Sequence, residues 1–210
     1  MDSEQLSAVE LREALARSPC EKLETLEAVR PALRLSYLAD PAERLFVQAA
    51  ARAGYQAALP PLRSMDWTHH MDLLIQPRGD GPARSVDVKN FKRLRRTLPC
   101  QDRYLCVELR NVRGRPGWVT VSGPDLIAVR LFAGDSSKGT FVLLDRGALH
   151  AMVEDHERKP PIDSRDVFDE DGSLRLRTPC TRAGRADCFV WIPMLDAIAG
   201  AAVGLWSALP

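Results

Sequence analysis

"SVDVKNF", residues Ser85 to Phe91, has the alternating pattern of a β-strand, with Val86 and Val88 at the apolar positions. Because alternate residues of a strand point the same way, Asp87 and Lys89 leave one face together. The stretch therefore predicts a strand that presents a carboxylate and an ammonium group side by side.

A second acid precedes this strand. The segment "MDLLI" carries Asp72 beside a short apolar run, and "PRGDGPAR" after it is a turn signal. If the two strands pair across that turn, Asp72, Asp87 and Lys89 converge at one end of a sheet. Two carboxylates, the carbonyl of Val88 and water form a hard-oxygen ligand set that suits Mg²⁺ or Mn²⁺. Lys89 cannot bind a cation, so we expect it to orient the attacking water or to neutralise charge on a phosphate.

The rest of the chain predicts an α/β fold, in which a central mixed β-sheet is flanked by helices. "DPAERLFVQAAARAGY" has the signals of a helix, with Asp40 as N-cap, Pro41 at the first position and Gly54 at the end. Strand patterns follow in "RYLCVELR", "DLIAVRLF" and "TFVLLD", and a helical pattern begins after Asp145. We expect an N-terminal helical extension over 1–38, a core over 39–157, and a C-terminal loop, strand and apolar helix over 158–210 that pack on the core.

Charge is concentrated in one part of the chain. The 210 residues carry a net charge of +1, but residues 84–115 hold ten Lys or Arg against Asp87, Asp102 and Glu108, a local +7. A local basic block favours an anionic partner at one place, and a solvated charged face is the alternative. The cationic residues that could contact phosphates are Lys92, Arg93, Arg95, Arg96, Arg110, Arg113 and Arg115.

The remaining composition indicates a cytoplasmic protein without a membrane partner. Its five cysteines form no CxxC pair, so we expect reduced thiols rather than a zinc site. The acidic, amphipathic N-terminus differs from a signal peptide. The apolar run from Ile192 to Leu209 is interrupted by Pro193 and Asp196, which favours a helix docked on the core over a membrane span.

Asp72, a spacer and Asp87-Val88-Lys89 resemble the motif of the PD-(D/E)XK nuclease superfamily, although Met71 stands where the family usually has proline. The resemblance covers roughly residues 40–153. It implies a restriction-endonuclease-like core, dependence on Mg²⁺ or Mn²⁺, and a nucleic-acid substrate, for which we expect DNA rather than RNA. It also implies that Glu43, on the helix before the strands, or Glu108, on the strand after them, completes the site. Many nucleases of this kind act as dimers, so a homodimer is left open.

Several of these residues have structural alternatives. Asp40 and Glu43 have the spacing of a capping box, Asp87 and Lys89 could be an exposed ion pair, and Glu108 could pair with a neighbouring strand. Trp118 could stack on a base or pack a turn. Two other functions also fit: a non-catalytic nucleic-acid-binding protein on a degenerate nuclease fold, and a protein-interaction factor.

Overall fold

The computed structural model describes residues 40–60, 70–90, 103–121, 123–131, 139–170 and 172–208. These residues contain ten strands and four α-helices. The helices are α1 (Pro41–Arg52), α2 (Arg146–Ala151), α3 (Glu154–Glu157) and α4 (Met194–Ala201). The strands are β1 (Tyr55–Ala58), β2 (Leu73–Pro77), β3 (Arg84–Lys89), β4 (Tyr104–Arg110), β5 (Leu126–Leu131), β6 (Thr140–Asp145), β7 (Ile162–Asp163), β8 (Cys180–Thr181), β9 (Cys188–Pro193) and β10 (Ala202–Ser207). The prediction of an α/β fold with a central mixed sheet is confirmed.

The strands form two sheets. The larger sheet has the order β1-β2-β3-β5-β6-β10, and β3 and β5 run parallel while the other neighbours run antiparallel. The smaller sheet has the order β4-β9-β8-β7. The chain leaves the larger sheet after β3, forms β4 in the smaller sheet, and returns as β5. Two parallel neighbours need such a crossover, and the part of it that the structure describes, residues 103–121 and 123–125, contains strand β4.

Three apolar clusters set the order of the layers. One lies between the two sheets and joins Val107, Val190, Ile127 and Val142 to the apolar faces of α2 and α4. A second lies on the outer face of the larger sheet, where Phe46 of α1 packs. The third covers the outer face of the smaller sheet with residues from the segment before β8, including Val167, Phe168 and Leu174.

Helix α1 begins and ends where its sequence signals predict. The Asp40 carboxylate accepts a hydrogen bond from the backbone N–H of Ala42 at 2.6 Å, and Pro41 occupies the first turn. Gly54 follows the helix with φ +87°, a left-handed conformation that favours glycine. The buried stripe on the helix is Ala42, Phe46, Ala49 and Ala50.

The C-terminal region differs from its expected form. The apolar helix ends at Ala201, and β10 then pairs with β6 at the edge of the larger sheet, while β9 pairs with β4. The predicted C-terminal strand is therefore present as β9, in the smaller sheet, whereas β10 completes the larger sheet with residues for which we expected only a helix packed on the core. The polar segment after Arg158 also contributes to a core, because Val167 and Phe168 are buried. The predicted helix after Asp145 is confirmed as two short helices, α2 and α3.

The predicted N-terminal helical extension, residues 1–38, lies outside the described residues. Among the helices that the structure describes, none has the length and apolar character needed to cross a membrane.

Candidate functional site

The two acids of the predicted motif lie opposite each other. Strand β2 pairs antiparallel with β3, with Leu73 opposite Val86 and Leu74 opposite Ser85. Continuing this register by one residue places Asp72 opposite Asp87. The pairing across the turn is thus confirmed, and it brings two carboxyl groups together at one end of the larger sheet, an arrangement that is destabilising while both are charged.

The pair is largely shielded from water. The Asp72 side chain accepts a hydrogen bond from the backbone N–H of Val88 at 2.7 Å, which fixes it across the strand. Asp87 is 1% exposed, and among the described residues its Oδ2 atom has no hydrogen-bond donor while both acids are ionised. A buried carboxylate oxygen without a donor is costly and needs a proton or a cation nearby.

The protonation of Asp72 reflects this environment. Burial, followed by the charge of Asp87, raises the pKa of Asp72 from 3.8 to about 8. The hydrogen bond from Val88 and the charge of Lys89 oppose this shift but do not outweigh it. The carboxyl groups lie close enough for protonated Asp72 to donate to Asp87, which further raises the pKa of Asp72. At neutral pH the pair thus holds a proton unless another positive charge replaces it.

Lys89 supplies one positive charge. Its Nζ atom lies 2.6 Å from Oδ1 of Asp87 and 5.6 Å from the centre of the Trp118 ring. The lysine side chain is 25% exposed, so it borders solvent while its partner Asp87 is buried. The ammonium group is therefore held between the carboxylate of Asp87 and the ring of Trp118, whose π-electron face attracts its positive charge. The alternative of a merely exposed ion pair is wrong for Asp87, because its carboxylate is buried.

Trp118 packs the turn, which is one of its two predicted roles, but the sequence did not indicate its contact with Lys89. It is 3% exposed and belongs to the apolar cluster between the sheets, so it packs the turn instead of offering its ring to a base. Gly117 holds it there: its N–H donates to the carbonyl of Leu109 at 2.8 Å, and a Cβ atom on Gly117 would overlap the carbonyl of Glu108. The "GW" dipeptide was the available signal, but the sequence cannot show which strand it approaches.

Neither of the two further acids joins the pair. Among the described residues, no three Asp, Glu, His or Cys side chains form a group that could hold a metal ion. Glu108 lies on β4, in the other sheet, and alternates with Val107 and Leu109, which face the central core. The strand beside β3 is β5, so the expectation that β4 continues the site next to β3 is wrong.

Glu43 lies on the other face of the larger sheet. Helix α1 packs against Val86, whereas Asp87 projects from the opposite face of the same strand. The start of the helix is nevertheless near the end of the sheet where the acids lie. Burial lowers the pKa of Arg130 on β5, and the charge of Asp40 opposes this effect. The proximity of Asp40 to Arg130 shows that the start of α1 is near the end of the sheet where Asp72 and Asp87 lie. The helix packs on the opposite face of that sheet, however.

The predicted phosphate-binding residues fall into two sets. Lys92, Arg93, Arg95 and Arg96 lie outside the described residues. Arg110, Arg113 and Arg115 are exposed on the hairpin that leads from β4 to Trp118.

A cavity of about 430 Å³ lies at the opposite end of β3, away from the acid pair. Arg84 and Arg146 line it, but both are engaged: Arg84 lies 3.7 Å from Asp145, and Arg146 donates to the carbonyls of Pro124 and Val119. These contacts join β3 to the end of β6 and α2 to the segment before β5, and we interpret them as structural.

No family model matches the chain, and neither a curated protein nor a solved structure matches it. The resemblance to PD-(D/E)XK nucleases accordingly depends on the motif residues and on their geometry, and the function that it implies is a proposal.

Proposed function

We propose that the protein is a metal-dependent nuclease that hydrolyses phosphodiester bonds, with DNA as the substrate in preference to RNA. The observation that carries the proposal is the buried pair Asp72 and Asp87 at the end of two paired strands, with Lys89 against Asp87. This is the constellation that the sequence motif implies. The cytoplasmic location and the homodimer remain predictions from the sequence.

The oxygen atoms of the pair suit a divalent cation. In the described part of the chain, Oδ2 of Asp87 is buried without a hydrogen-bond donor. Asp72 is held protonated mainly by its burial and by the charge of Asp87. Asp72, Asp87 and the carbonyl of Val88 would hold Mg²⁺ or Mn²⁺, with water as the remaining ligands. A cation bound there would act as a Lewis acid on a phosphate oxygen and would lower the pKa of a bound water.

Lys89 would act on the substrate side of the pair. Its ammonium group is anchored to Asp87 and Trp118, and its partial exposure leaves it accessible to a phosphate or to a water molecule. A fixed positive charge there would stabilise negative charge that develops on the phosphate. The buried ring of Trp118 excludes water from one side of the ammonium group, which would strengthen its interaction with a phosphate.

A second function, nucleic-acid binding without cleavage, is favoured by a specific observation. With Asp72 protonated, Asp87 ionised and Lys89 charged, the three side chains are already neutral together without a metal. In addition, no third acid of the described residues joins them. On this hypothesis the trio is a structural ion pair of a degenerate nuclease site.

A cleavage assay separates the two functions. Supercoiled, linear, single-stranded and branched DNA would be incubated with Mg²⁺, with Mn²⁺ or with EDTA. We expect cleavage with either metal and none in EDTA. Asp87→Ala should lose both metal binding and cleavage, whereas Lys89→Ala should keep metal binding and lose on the order of 10²–10³ in rate.

The matched control is Asp80→Asn, which removes a carboxylate from the exposed turn between β2 and β3. It should cleave like the parent. If the parent binds DNA but cuts none of these substrates, the non-catalytic function replaces the nuclease. If Asp87→Ala and Lys89→Ala cut like the parent, the acid pair has no part in the activity.

A further inference from the structure

Two loops that are distant in the sequence meet at one end of the smaller sheet. The hairpin after β4 spans residues 111–116, and the turn before β9 spans residues 182–187. Strands β4 and β9 are antiparallel neighbours, with Arg110 opposite Cys188, so both loops leave the same end. They are close there, because a Cβ atom on Gly114 would lie 3.7 Å from the methyl group of Ala186.

Both loops present arginine to solvent. Arg110, Arg113 and Arg115 are exposed in and beside the hairpin, and Arg185 is exposed in the turn. Within the described part of the chain, none of these four side chains forms an ion pair. We refer to Arg110, Arg113, Arg115 and Arg185 as the arginine surface.

The acidic side chain of the turn, Asp187, already pairs with Arg182. Asp187 is 1% exposed, and its carboxylate accepts a hydrogen bond from Nε of Arg182 at 2.7 Å. Residues 112–116 and 182–186 are all exposed and contain no acidic side chain. Within the described part of the chain, the four arginines of the surface thus have no ion-pair partner, and the exposed residues of the two loops supply no acid to them.

Internal hydrogen bonds fix the shape of both loops. In the hairpin, the Asn111 side chain accepts from the backbone N–H groups of Arg113 and Arg115, at 2.9 and 3.2 Å. In the turn, the N–H of Arg185 donates to the carbonyl of Arg182 at 3.0 Å. Because the backbone is already ordered, a ligand that binds the arginines has less conformational entropy to remove.

The hairpin, in and beside which three of these arginines lie, is next to Trp118 of the candidate site along the chain. The hairpin ends at Gly117, and the next residue is Trp118, whose ring contacts Lys89. The backbone of the hairpin therefore connects the arginine surface directly to the residue that contacts the ammonium group beside Asp87.

We propose that the arginine surface, including the turn before β9, binds the phosphate backbone of the nucleic acid. This inference rests on the proposed function and extends its substrate contacts to Arg185, which lies far along the chain from the acid motif. Guanidinium groups bind phosphates through two parallel hydrogen bonds, and several of them on adjacent loops without acidic side chains suit a ligand with repeated negative charge. Such contacts fix the position of the nucleic acid without reading its sequence.

Salt dependence of DNA binding tests the proposal. Fluorescence anisotropy would measure the affinity for labelled duplex DNA in EDTA, over about 50 to 300 mM salt, so that cleavage has no influence. Each phosphate contact contributes about 0.9 to the slope of log affinity against log salt. We expect Arg185→Gln to reduce the slope by about 0.9, and the quadruple Gln variant of the surface to reduce it by about three to four. Arg185→Lys should keep most of the slope, because the charge remains.

The control is a quadruple Gln variant with the same change in net charge, made at arginines that are exposed elsewhere: Arg52, Arg78, Arg158 and Arg175. It should keep nearly the slope of the parent. Equal slopes for the two quadruple variants would overturn the proposal, as would binding of poly-glutamate as tight as that of DNA at the same salt. If the parent binds DNA with the expected slopes but does not cleave it, the nuclease proposal fails and the arginine surface stands. If the parent cleaves DNA but the Gln variants of the arginine surface keep the slope of the parent, the nuclease proposal stands and the arginine surface fails.

Discussion

Replacing Asp72 by Asn should make the stability of the metal-free protein less sensitive to alkaline pH. The amide keeps an oxygen that can accept from the Val88 N–H, and its NH₂ group can donate to Asp87 as the protonated acid does. It cannot ionise, however. The variant therefore reproduces the protonated form of Asp72 at every pH.

The expected magnitude follows from the pKa of Asp72. In the unfolded chain the pKa of this acid is 3.8, and in the folded protein it is about 8, so the folded state binds the extra proton between these values. The contribution to stability is complete below about pH 4 and is lost as the pH rises through 8, at about 1.36 kcal/mol per pH unit. In total the parent should lose on the order of 5 kcal/mol that Asp72→Asn does not lose.

Urea unfolding, followed by tryptophan fluorescence at intervals from about pH 5 to about pH 9, measures this difference directly. The free energy of unfolding of Asp72→Asn minus that of the parent should increase with pH and level off above about pH 8. Asp80→Asn controls for the loss of one negative charge at an exposed position. A difference for Asp72→Asn that stays constant over the whole range would refute the argument that burial and Asp87 hold a proton on Asp72.

Adding Mg²⁺ extends the same experiment to the proposed metal site. At about pH 8 a cation that binds the ionised pair should stabilise the parent by about 2.7 kcal/mol at a concentration of 100 times Kd. It should stabilise Asp72→Asn much less, because one charged ligand is missing. Calorimetry near neutral pH should show that the parent releases a proton when Mg²⁺ binds. No stabilisation of the parent by Mg²⁺ or Mn²⁺ would favour the non-catalytic function.

Two further predictions concern the turn beside Lys89. Gly117→Ala should destabilise the protein by several kcal/mol in urea unfolding, because the new methyl group would overlap the carbonyl of Glu108. The control is Gly79→Ala, which should change stability by less than about 1 kcal/mol, because a Cβ atom there has no neighbour within 4 Å. Trp118→Leu should cost about 2–4 kcal/mol of stability and lower cleavage, while Trp118→Phe should retain most of both because an aromatic face remains under Lys89. Equal cleavage rates for the parent and a folded Trp118→Leu would show that the ring does not help to place the ammonium group.

The parts of the fold that the sequence predicted well are those decided by neighbouring residues. Asp40, Pro41 and Gly54 determine where α1 begins and ends because capping and backbone conformation are local effects. The antiparallel pairing of β2 with β3 follows in the same way from the turn between them. Its register then places Asp72 opposite Asp87, so the centre of the candidate site could be predicted from two adjacent strands.

The parts that the sequence did not predict depend on pairing between distant segments. The alternation in β4 indicates a strand with one buried face, but it does not specify which sheet that strand joins. In β10, the small residues Ala202 and Gly204 give little strand pattern, and the helix before it made a continuing helix the simpler prediction. Its pairing with β6 is decided by the free edge of the larger sheet, which exists only after the fold has formed.

Charge at the acid pair connects the proposed chemistry to the arginine surface. Without a metal, protonated Asp72, ionised Asp87 and Lys89 sum to zero and offer no net attraction to a phosphate. When Mg²⁺ replaces the proton, the two carboxylates, the ammonium group and the cation sum to +1, which matches one phosphodiester. The arginines carry their charge in either state, because a guanidinium group does not lose its proton near neutral pH. The nucleic acid would therefore be held by the arginine surface whether or not metal is present, and a phosphate would be drawn to the acid pair only once the cation has bound.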